Sequence, residues 1–476
     1  MKSKKKNSKV IATISDMRCD YEFISTLIEE GVDAFRLNTA HQTPETSLKV
    51  VNAIREVSDR VAIILDTKGP EVRTVLSEPL EVSPGMIVAI GDCDTLPCIG
   101  TSYEGFVSEV PAGAVVLVDD GDIGLKVKEK RENALICEVE NAGVIKNKKS
   151  VNVPNVHIGL PALTDKDREY IRFAVEHEID YIAHSFVRNT EDVEELKSSI
   201  RDAGGSPDDI GIIAKIENRE GVDNAEEIIK VVDGIMVARG DLGIEIPAEE
   251  VPAIQKRLIK ICMEHAKPVI TATQLLHSMI ESPRPTRAEV TDIASAVLDG
   301  TDVLMLSGET AYGKYPVEAV STMTKIAAKA EKTRPELAEH EIVGFTNPVR
   351  HFLAQTAMKA SFRLPISAII VHTHTGRTAR IVSSFRGQTP VYVFCHDRKV
   401  ARKLSLSYGI YPEVVDIPVS TDELVMDSVS LLLEKNLINS DDLILVLAGS
   451  PPLNSNSSNF IEINTASVYL EYKRGC

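Results

Sequence analysis

The sequence has no run of apolar residues long enough to span a membrane, although apolar residues make up 43% of the chain. It also has no secretory segment, because only VIATI separates the basic start MKSKKKNSK from Ser15 and Asp16. The seven cysteines are odd in number and include no CxxC pair, which argues against a disulfide framework or a zinc site. We expect free thiols, a cytoplasmic location and no membrane partner.

Basic residues are in the minority: 53 Lys and Arg face 70 Asp and Glu, for a net charge of −17. A surface of this sign excludes a nonspecific grip on nucleic acid. Any phosphate that the protein binds must therefore meet a local basic patch. The 27 Gly, 23 Pro and 26% charged residues are typical of a folded globular chain. At about 150 residues per domain, 476 residues predict roughly three domains.

The first part of the chain alternates short β-branched runs with helical patterns. Gly31 ends a helix predicted from Tyr21 to Glu30, and Thr164 is the predicted N-cap of a helix to about Glu178. The predicted strands begin near residues 10, 34, 62, 181, 212, 234, 268 and 303. Eight strands, each followed by a helix, predict a TIM barrel, and a doubly wound open sheet is the alternative.

Two further regions differ from the predicted barrel in composition and in the pattern of apolar residues. From Gly69 to about His157, short alternating segments with Pro, Gly and Asn predict an all-β insertion after the third strand. Residues 333–348 carry Pro and charged residues and predict a linker. The remaining chain predicts a small, mostly parallel α/β domain with helices Val349–Phe362, Thr378–Phe385, Lys399–Ser407 and Asp422–Glu434, and strands Ala368–His372, Val391–Phe394 and Leu443–Leu447.

Polar residues follow nearly every predicted barrel strand. Barrel enzymes place their chemistry at these strand ends, so the polar residues predict an active site. A ring of structural salt bridges explains any one of them but explains the whole set poorly. The set is Arg36, Asn38, Asp66, Thr67, Lys68, His184, Ser185, Lys215, Glu217, Arg239, Asp241, Thr273, Gln274, Ser307 and Glu309.

The charges at these strand ends predict a metal and an anionic substrate. Glu217 and Asp241 are hard oxygen donors suited to one Mg²⁺ or Mn²⁺. More basic residues are present than two carboxylates need, which predicts a phosphate or carboxylate ligand. These basic residues are Arg36, Arg73, Lys215 and Arg239. In ARGDLG, 238–243, two glycines stand where a short helix is predicted to begin. Backbone amides exposed at that point could hold a carboxylate.

Long runs in the sequence closely resemble the pyruvate kinase family, in order and over nearly the whole chain. They are RLN 36–38, LDTKGPEVRT 65–74, KIEN 215–218, GIMVARGDLGIEIP 234–247, TATQLLHSMI 271–280, PRPTRAE 283–289 and MLSGETAYGKYP 305–316. The resemblance implies an α/β protein in which a TIM barrel, 9–70 and 158–335, carries an inserted small β-barrel lid, 71–157. A basic tail, 1–8, precedes the barrel, and a C-terminal α/β domain, 345–476, follows it.

The resemblance also implies the reaction: phosphoryl transfer from phosphoenolpyruvate to ADP, giving pyruvate and ATP in glycolysis. Mg²⁺ ligation carries over to Glu217 and Asp241, and neutralisation of the transferring phosphoryl group carries over to Lys215. Contacts with the substrate phosphates carry over to Arg36 and Arg73, and the carboxylate cradle to Gly240 and Asp241. Thr273 matches the proton-delivery region, and Ser307 is a candidate relay. ISDMR, 14–18, replaces the usual Gly-Pro near the nucleotide side.

A K⁺ site is implied with one ligand missing. Asn38, Asp66 and Thr67 match K⁺ ligands of the family, but Ala40 stands where a serine is usual. Glu71 resembles the glutamate of K⁺-dependent members. The sequence therefore predicts K⁺ dependence with a weakened site.

The last domain carries a candidate effector site. Its loop resembles the family's effector phosphate loop through Thr373, Thr375, Gly376, Arg377 and Thr378. The loop at 449–459 lacks the basic and aromatic residues that clamp a sugar bisphosphate in some members. The implied partners are a sugar-phosphate or nucleotide effector and three further copies in a homotetramer. A Mg²⁺-dependent lyase or aldolase acting on a pyruvate-type enolate, and a noncatalytic metabolite sensor, remain alternatives at this point.

Overall fold

The structure is a computed structural model that describes residues 6–334, 342–343, 347–416, 420–449 and 458–472. Much of the predicted linker therefore lies outside the described residues, as does most of the loop at 449–459. Within the described ranges, no helix combines the length and the apolar character needed to cross a membrane.

The first βα units form because buried β-branched runs alternate with capped amphipathic helices. Gly31 ends the first helix with a φ of +120°, a conformation that glycine adopts readily. Thr43 caps the second helix and accepts a hydrogen bond from the Thr46 N–H. The elements are β1 Lys9–Thr13, α1 Tyr21–Glu30, β2 Ala34–Asn38, α2 Pro44–Val57 and β3 Ala62–Asp66.

The insertion after β3 is a separate closed barrel of seven strands with its own apolar core. A short helix lies within it, where the sequence predicted none. The elements are β4 Val72–Val75, β5 Leu80–Val82, β6 Ile87–Gly91, β7 Cys98–Thr101, α3 Phe106–Glu109, β8 Val115–Val118, β9 Ile123–Lys130, β10 Ala134–Val139, β11 Gly143–Ile145 and β12 Ser150–Asn152. Strands β5 and β11 pair with each other outside this barrel.

The remaining βα units close the large barrel. The predicted N-cap is confirmed, since Thr164 accepts from the Asp167 N–H. The strands are β13 Tyr181–His184, β14 Gly211–Ile216, β15 Gly234–Ala238, β16 Val269–Ala272 and β17 Val303–Leu306. The helices are α4 Asp165–Glu176, α5 Thr190–Asp202, α6 Arg219–Asp223, α7 Ala225–Val231, α8 Arg239–Glu245, α9 Val251–Glu264, α10 Arg287–Asp299, α11 Gly308–Ala311 and α12 Pro316–Glu331, with a 3₁₀ turn at His277–Ile280.

Strands β1 and β17 pair in parallel, so the eight strands form a closed barrel. The predicted TIM barrel is confirmed, and the open-sheet alternative is wrong. Closure brings the carboxyl ends of all eight strands to one mouth, where the predicted site residues follow the strands.

The C-terminal domain is a five-stranded sheet in the order β20, β19, β18, β21, β22, with helices packed on it. Its two edge strands, β20 and β22, and its last helix were not predicted from the sequence. The elements are α13 Pro348–Arg363, β18 Ile366–His372, α14 Arg377–Ser384, β19 Val391–Cys395, α15 Arg398–Leu404, β20 Ile410–Val414, α16 Thr421–Glu434, β21 Leu443–Ala448, β22 Phe460–Thr465 and α17 Ala466–Tyr472.

An aspartate directly precedes every second barrel strand at the end opposite the mouth. These four residues are Asp33, Asp180, Asp233 and Asp302. Each carboxylate accepts a backbone N–H of the adjacent strand, from Val10, Ile63, Ile212 and Val269 respectively, at 2.8–3.0 Å. Each also lies within ion-pair distance of a basic residue outside the barrel: Lys6, Arg402, Arg380 and Arg386 respectively. Each of these four carboxylates therefore contacts a neighbouring barrel strand and also a basic residue of the chain that packs against the barrel from outside.

The predicted helix Lys399–Ser407 needs correction, because α15 ends at Leu404. The following residues turn into the lower end of the barrel. There Leu406 belongs to the buried cluster inside the barrel that includes Ile11 and Met236. The Tyr181 hydroxyl donates to the Lys403 carbonyl at 2.6 Å. Burial inside the barrel thus overrides the helical pattern of the sequence.

The predicted basic tail, 1–8, also needs correction at its end. Asn7 and Ser8 donate their backbone N–H groups to Glu331 at 2.9 and 2.7 Å. The Asn7 carbonyl accepts from the Gly409 N–H at 2.8 Å. Residues 6–8 are therefore fastened between α12 and the C-terminal domain, and residues 1–5 lie outside the described residues.

Candidate active site

A line of alternating charges crosses the barrel mouth. Arg36, in the middle of β2, donates its Nε to Asp66 Oδ2 at 2.5 Å. The other Asp66 oxygen, Oδ1, lies 3.1 Å from Lys215 Nζ. Lys215 Nζ in turn lies 2.9 Å from Glu217 Oε1 and donates to Ser185 Oγ at 2.7 Å. Parallel strand register brings these side chains together, since β2, β3, β13 and β14 are successive neighbours.

Mutual attraction keeps the central pair of this line charged. Burial alone would lower the pKa of Lys215, but the carboxylates of Asp66 and Glu217 outweigh burial and raise it. Burial would likewise raise the pKa of Asp66, yet the charges of Arg36 and Lys215 lower it. A permanent ammonium therefore stands at the mouth.

Glu217 is fully buried and incompletely satisfied. Its Oε2 accepts from the Phe186 N–H at 2.7 Å. Its Oε1 lies close to Lys215 but outside hydrogen-bond geometry. Burial raises the pKa of Glu217 to about 7, and the nearby charge of Asp241 acts in the same direction, while Lys215 opposes both. One lone-pair face of Glu217 is thus available to a cation.

Asp241 lies in the first turn of α8, and no hydrogen bond or ion pair reaches its carboxylate from the part of the chain that the structure describes. The preceding Gly240 N–H donates to Thr273 Oγ1 at 2.8 Å. The Thr273 hydroxyl itself donates to the Ala272 carbonyl at 2.7 Å. The structure thus brings Gly240 and Thr273 into direct contact.

Thr273 sits in an unfavourable backbone conformation. Its φ is +69°, and that of Gln274 is +56°. A β-branched residue in this region costs about 1–3 kcal/mol and persists only where surrounding contacts impose it. Arg239 supplies such contacts by donating to the carbonyls of Ala272 and Thr273 at 3.2 and 2.7 Å. The strained turn directs Thr273 toward α8.

Arg239 departs from its predicted role. Its Nη1 donates to Asp292 Oδ1 at 2.8 Å, so its charge is matched by a carboxylate and braces the Thr273 turn. Arg36 and Arg73 are likewise paired, with Asp66 and Glu71. The sequence argument weighed these cations against Glu217 and Asp241 alone, whereas the structure adds three further carboxylates, Asp66, Glu71 and Asp292. Each of these cations already has an acidic partner.

Ser307 follows β17 beside this turn. Its backbone N–H donates to Glu309 Oε2 at 2.8 Å, and the other Glu309 oxygen accepts from the Leu276 N–H at 3.2 Å. Glu309 is buried. It therefore ties the Ser307 loop to the loop that follows Thr273, and its part in the site is to position those loops.

Arg73 lies apart from the buried charges, on strand β4 of the lid. It donates to Glu71 Oε2 at 2.5 Å and to the Lys148 carbonyl at 2.8 Å. A cleft of about 490 Å³ separates lid and barrel, and its walls include Glu71 and Asp241. Asn152 of the lid donates to Glu245 of α8 at 3.2 Å across it. Glu71 and Val72, which precede Arg73, and Asp241 of the barrel therefore line the same cleft.

The predicted K⁺ ligands lie on neighbouring strands. Asn38 Oδ1 accepts from the Ala40 N–H at 3.1 Å. Thr67 Oγ1 accepts from the Ser185 N–H at 3.0 Å. Asp66 is shared between Arg36 and Lys215, as described above. Ala40 contributes no side-chain oxygen.

The candidate effector loop joins β18 to α14. Gly376, with a φ of +78°, is the N-cap residue, and its N–H donates to Thr373 Oγ1 at 3.0 Å. Thr378 is buried, and its hydroxyl lies 2.9 Å from Ser458 Oγ. Thr375 and Arg377 are exposed. The loop thus presents hydroxyls, backbone amides and one guanidinium at the end of the sheet.

Comparison with known proteins identifies the family. The description "Pyruvate kinase, barrel domain" matches residues 5–320, and "Pyruvate kinase, alpha/beta domain" matches residues 351–464. The chain belongs to the pyruvate kinase family. A pyruvate kinase of Borreliella burgdorferi is 47% identical over 97% of both chains, and one of Clostridium acetobutylicum is 43% identical over 96% of this chain and 98% of the relative.

A solved structure agrees with this assignment. A pyruvate kinase from Cryptosporidium parvum is 35% identical, covers 97% of this chain and 96% of its own, and superposes with a TM-score of 0.89. As a member of the pyruvate kinase family, the chain is a phosphotransferase. The lyase and sensor alternatives find no support.

Two further residues of the site escaped sequence reasoning. Ser185 was noted as a strand-end residue without a role, yet its hydroxyl accepts from Lys215 and donates to the Thr67 carbonyl at 2.6 Å. Asp292 lies within a helix, and nothing in its spacing pointed to Arg239. Only the tertiary structure brings Asp292 next to Arg239.

Proposed function

We propose that the phosphotransfer of this chain, from phosphoenolpyruvate to ADP with formation of pyruvate and ATP, takes place around Lys215 at the barrel mouth. The observation that carries the proposal is a buried ammonium between two carboxylates at the mouth of the barrel. The transition state of phosphoryl transfer is loose and anionic, so catalysis is mostly charge stabilisation and positioning. The buried ammonium of Lys215 is held in place by its ion pairs, so it supplies both the charge stabilisation and the positioning.

The other substrate contacts are assigned to residues of the barrel and of the lid. Arg36 in the barrel and Arg73 in the lid bind substrate phosphates. The substrate carboxylate is held at Gly240 and Asp241 beside Thr273. Because the Gly240 N–H already donates to Thr273 Oγ1, a carboxylate that displaces this contact meets both groups at once.

Glu217 and Asp241 fit a divalent cation of the Mg²⁺ type. Both offer carboxylate oxygens without a complete set of protein donors, and Mg²⁺ commonly takes only one or two carboxylates together with substrate oxygens and water. No group of three or more His, Cys, Asp or Glu side chains suited to a metal occurs within the described ranges. The bound ion supplies neutralisation of phosphate charge. Lys215 holds Glu217 in place for this role.

A weakened K⁺ site is proposed at Asn38, Asp66 and Thr67. Asp66 also pairs with Arg36 and Lys215, and Ala40 removes one oxygen ligand from the family pattern. Family membership supports a requirement for monovalent cation, and the missing hydroxyl supports weak affinity.

For protonation of the enolate, we assign Thr273 to the delivery of the proton and Ser307 to a relay, with water carrying the proton between them. The strained Thr273 turn and the Glu309 tie hold these hydroxyl groups at adjacent strand ends. Thr273, Arg36, Lys215 and Ser307 are thus the proposed catalytic residues.

We also propose how the protein is regulated, how it assembles and where it is located. A phosphorylated effector, either a sugar phosphate or a nucleotide, would bind the loop of Thr373, Thr375, Gly376, Arg377 and Thr378. We retain the predictions of a homotetramer and of a cytoplasmic location. The domain boundaries at 70, 157 and 335 also stay predictions.

One coupled assay tests the reaction. Pyruvate formation is followed from phosphoenolpyruvate and ADP with Mg²⁺, with KCl or an inert cation at matched ionic strength. ADP-dependent pyruvate and a higher rate with KCl are expected. Pyruvate formed without ADP, or none at all, would refute the assigned reaction, and an equal rate in both salts would refute only the K⁺ site.

A further inference from the structure

Two cysteines lie close together in the lid, away from the cleft. Cys93 is in the turn that follows β6, and Cys98 begins β7. Both are partly exposed and pack with Leu96 against a small apolar patch of the lid, separate from the lid core. Neither residue is among those that line the cleft between lid and barrel.

The turn brings the two thiols together. Cys98 Sγ donates to the Cys93 carbonyl at 2.6 Å and to the Leu96 carbonyl at 3.3 Å. Both cysteine side chains therefore pack within the same turn. Strand pairing fixes this approach, because Cys98 lies opposite Ala89 of β6.

The two thiols differ in acidity. The Thr95 hydroxyl, whose oxygen lies 3.5 Å from Cys93 Sγ, is the largest influence that lowers the pKa of Cys93. Partial burial raises the pKa of Cys98. Since the thiolate is the nucleophile in disulfide exchange, Cys93 is the better attacking group and Cys98 the better resolving group.

The other described cysteines are poor candidates for such chemistry. Cys19, Cys137, Cys262 and Cys395 are buried. Burial raises the pKa of Cys137 and of Cys395 to about 12. The lid pair is thus chemically distinct from the remaining described thiols.

We propose that Cys93 and Cys98 are a thiol modification site that forms a reversible intramolecular disulfide on reaction with a small organic disulfide. The Cys93 thiolate attacks one sulfur of the oxidant, which breaks its S–S bond, forms a mixed disulfide and releases one thiolate. Cys98 loses its proton, and its thiolate attacks the Cys93 sulfur and releases the second thiolate. Two protein thiols lose two electrons in total, and the oxidant is reduced to two thiols.

The test uses the reduced full-length chain and oxidised glutathione. After remaining thiols are alkylated, intact mass and peptide mapping locate every disulfide and adduct. We expect one internal bond between Cys93 and Cys98, formed in preference to adducts elsewhere, and its reversal by excess reduced glutathione. Separate glutathione adducts on Cys93 and Cys98 without a bond between them would overturn the proposal, as would a bond from either residue to Cys476.

Single variants separate the two roles. Cys98→Ser should hold one glutathione on Cys93, because the resolving thiol is absent. Cys93→Ser should react at Cys98 at least about tenfold more slowly, since that thiol is the less acidic one. Cys19→Ser is the matched control and should form the internal bond as the parent chain does. Equal rates in the two lid variants would contradict the assigned order of attack.

Thermal unfolding of the reduced variants checks that each lid remains folded. The turn is partly exposed, so we expect the two lid variants to unfold close to the parent chain. If a serine variant disrupts the lid, the parent chain still decides the question, because a trivalent arsenical bridges two thiols only where they are adjacent. Retention of one arsenical per chain at Cys93 and Cys98 is expected, and its absence would overturn the proposal.

Discussion

Lys215 Nζ lies 3.1 Å from Asp66 Oδ1, and both groups are buried at the mouth of the barrel. This pair is the centre of the charge line that ends at Arg36 on one side and Glu217 on the other. Because Asp66 and Lys215 hold each other in the charged form, removal of either one changes the charge balance of the whole line.

Replacing Lys215 by Met should reduce kcat by several orders of magnitude, because the ammonium acts mainly on the transition state. The measurement is pyruvate formation at saturating substrates, with circular dichroism to show that the fold persists. Lys267→Met is the matched control: this half-buried lysine donates to carbonyls of Ile229 and Val232 at 2.5 and 2.6 Å, outside the proposed site. Equal losses of turnover in both variants would refute the role of Lys215.

Replacing Ala40 by Ser should restore the missing oxygen and lower the KCl concentration needed for half-maximal rate. Total ionic strength is kept constant with an inert cation. Ser58, a C-cap residue after α2 and remote from the mouth, provides the control Ser58→Ala, which should leave the KCl response unchanged. An unchanged response in Ala40→Ser would remove Ala40 from the proposed K⁺ site.

Replacing Glu309 by Gln should weaken both N–H contacts that join the loops after β16 and β17. We expect a loss of about 1–3 kcal/mol in unfolding free energy, because a buried backbone donor is left poorly matched, together with a lower kcat. Chemical denaturation and the pyruvate assay measure these effects. Glu281→Gln, at an exposed pair with Lys314, should change neither quantity appreciably.

Replacing Arg386 by Ala should loosen the C-terminal domain from the barrel. The pair with Asp302 is almost fully buried, at 2% exposure for both side chains, and breaking such a pair costs about 3–5 kcal/mol. Calorimetry should show a lower first unfolding transition. Arg398→Ala removes an interdomain pair with Asp59 that is 68% and 53% exposed, and should cost about 1 kcal/mol at most. Similar losses in both variants would contradict this ranking.

Acid should destabilise the C-terminal domain through His372. Burial, with a smaller effect of His396, lowers the pKa of His372 to about 3, and its Nε2 lies 2.8 Å from Ser428 Oγ. In the unfolded chain this histidine takes up a proton near pH 6.5, so its contribution is complete above that pH and declines as pH falls toward 3. The unfolding free energy of His372→Asn should therefore depend less steeply on pH over that interval. Parallel curves would refute the prediction.

The barrel was predictable because its eight strands carry a local signal. Buried β-branched runs and caps such as Thr164 specify strands and helices within a few residues. Strand β20 was missed because its sequence, IYPEV, contains a proline and only part of it is buried. The end of α15 was missed because Leu406 packs inside the barrel, whose strands lie far away in sequence.

Within the site, residue types were predictable and pairings were not. The acidic and basic residues that follow strands could be named from the sequence, since all strand ends of a closed barrel meet. Which carboxylate neutralises which cation depends on side-chain geometry. Arg239 is the clearest example, because its partner Asp292 lies on a helix with no sequence cue.

The four aspartates beneath the barrel have a consequence for synthesis on the ribosome. Asp180 and Asp302 each contact a strand already made, but their partners Arg402 and Arg386 emerge only after roughly 220 and 80 further residues. Leu406 enters the barrel interior later still. A nascent chain that has completed β17 therefore holds Asp302 without its basic partner, although Asp180 already has Arg55 at 2.7 Å, and the lower end of its barrel is still open. We therefore expect the barrel to gain its full stability only after the last domain has been made.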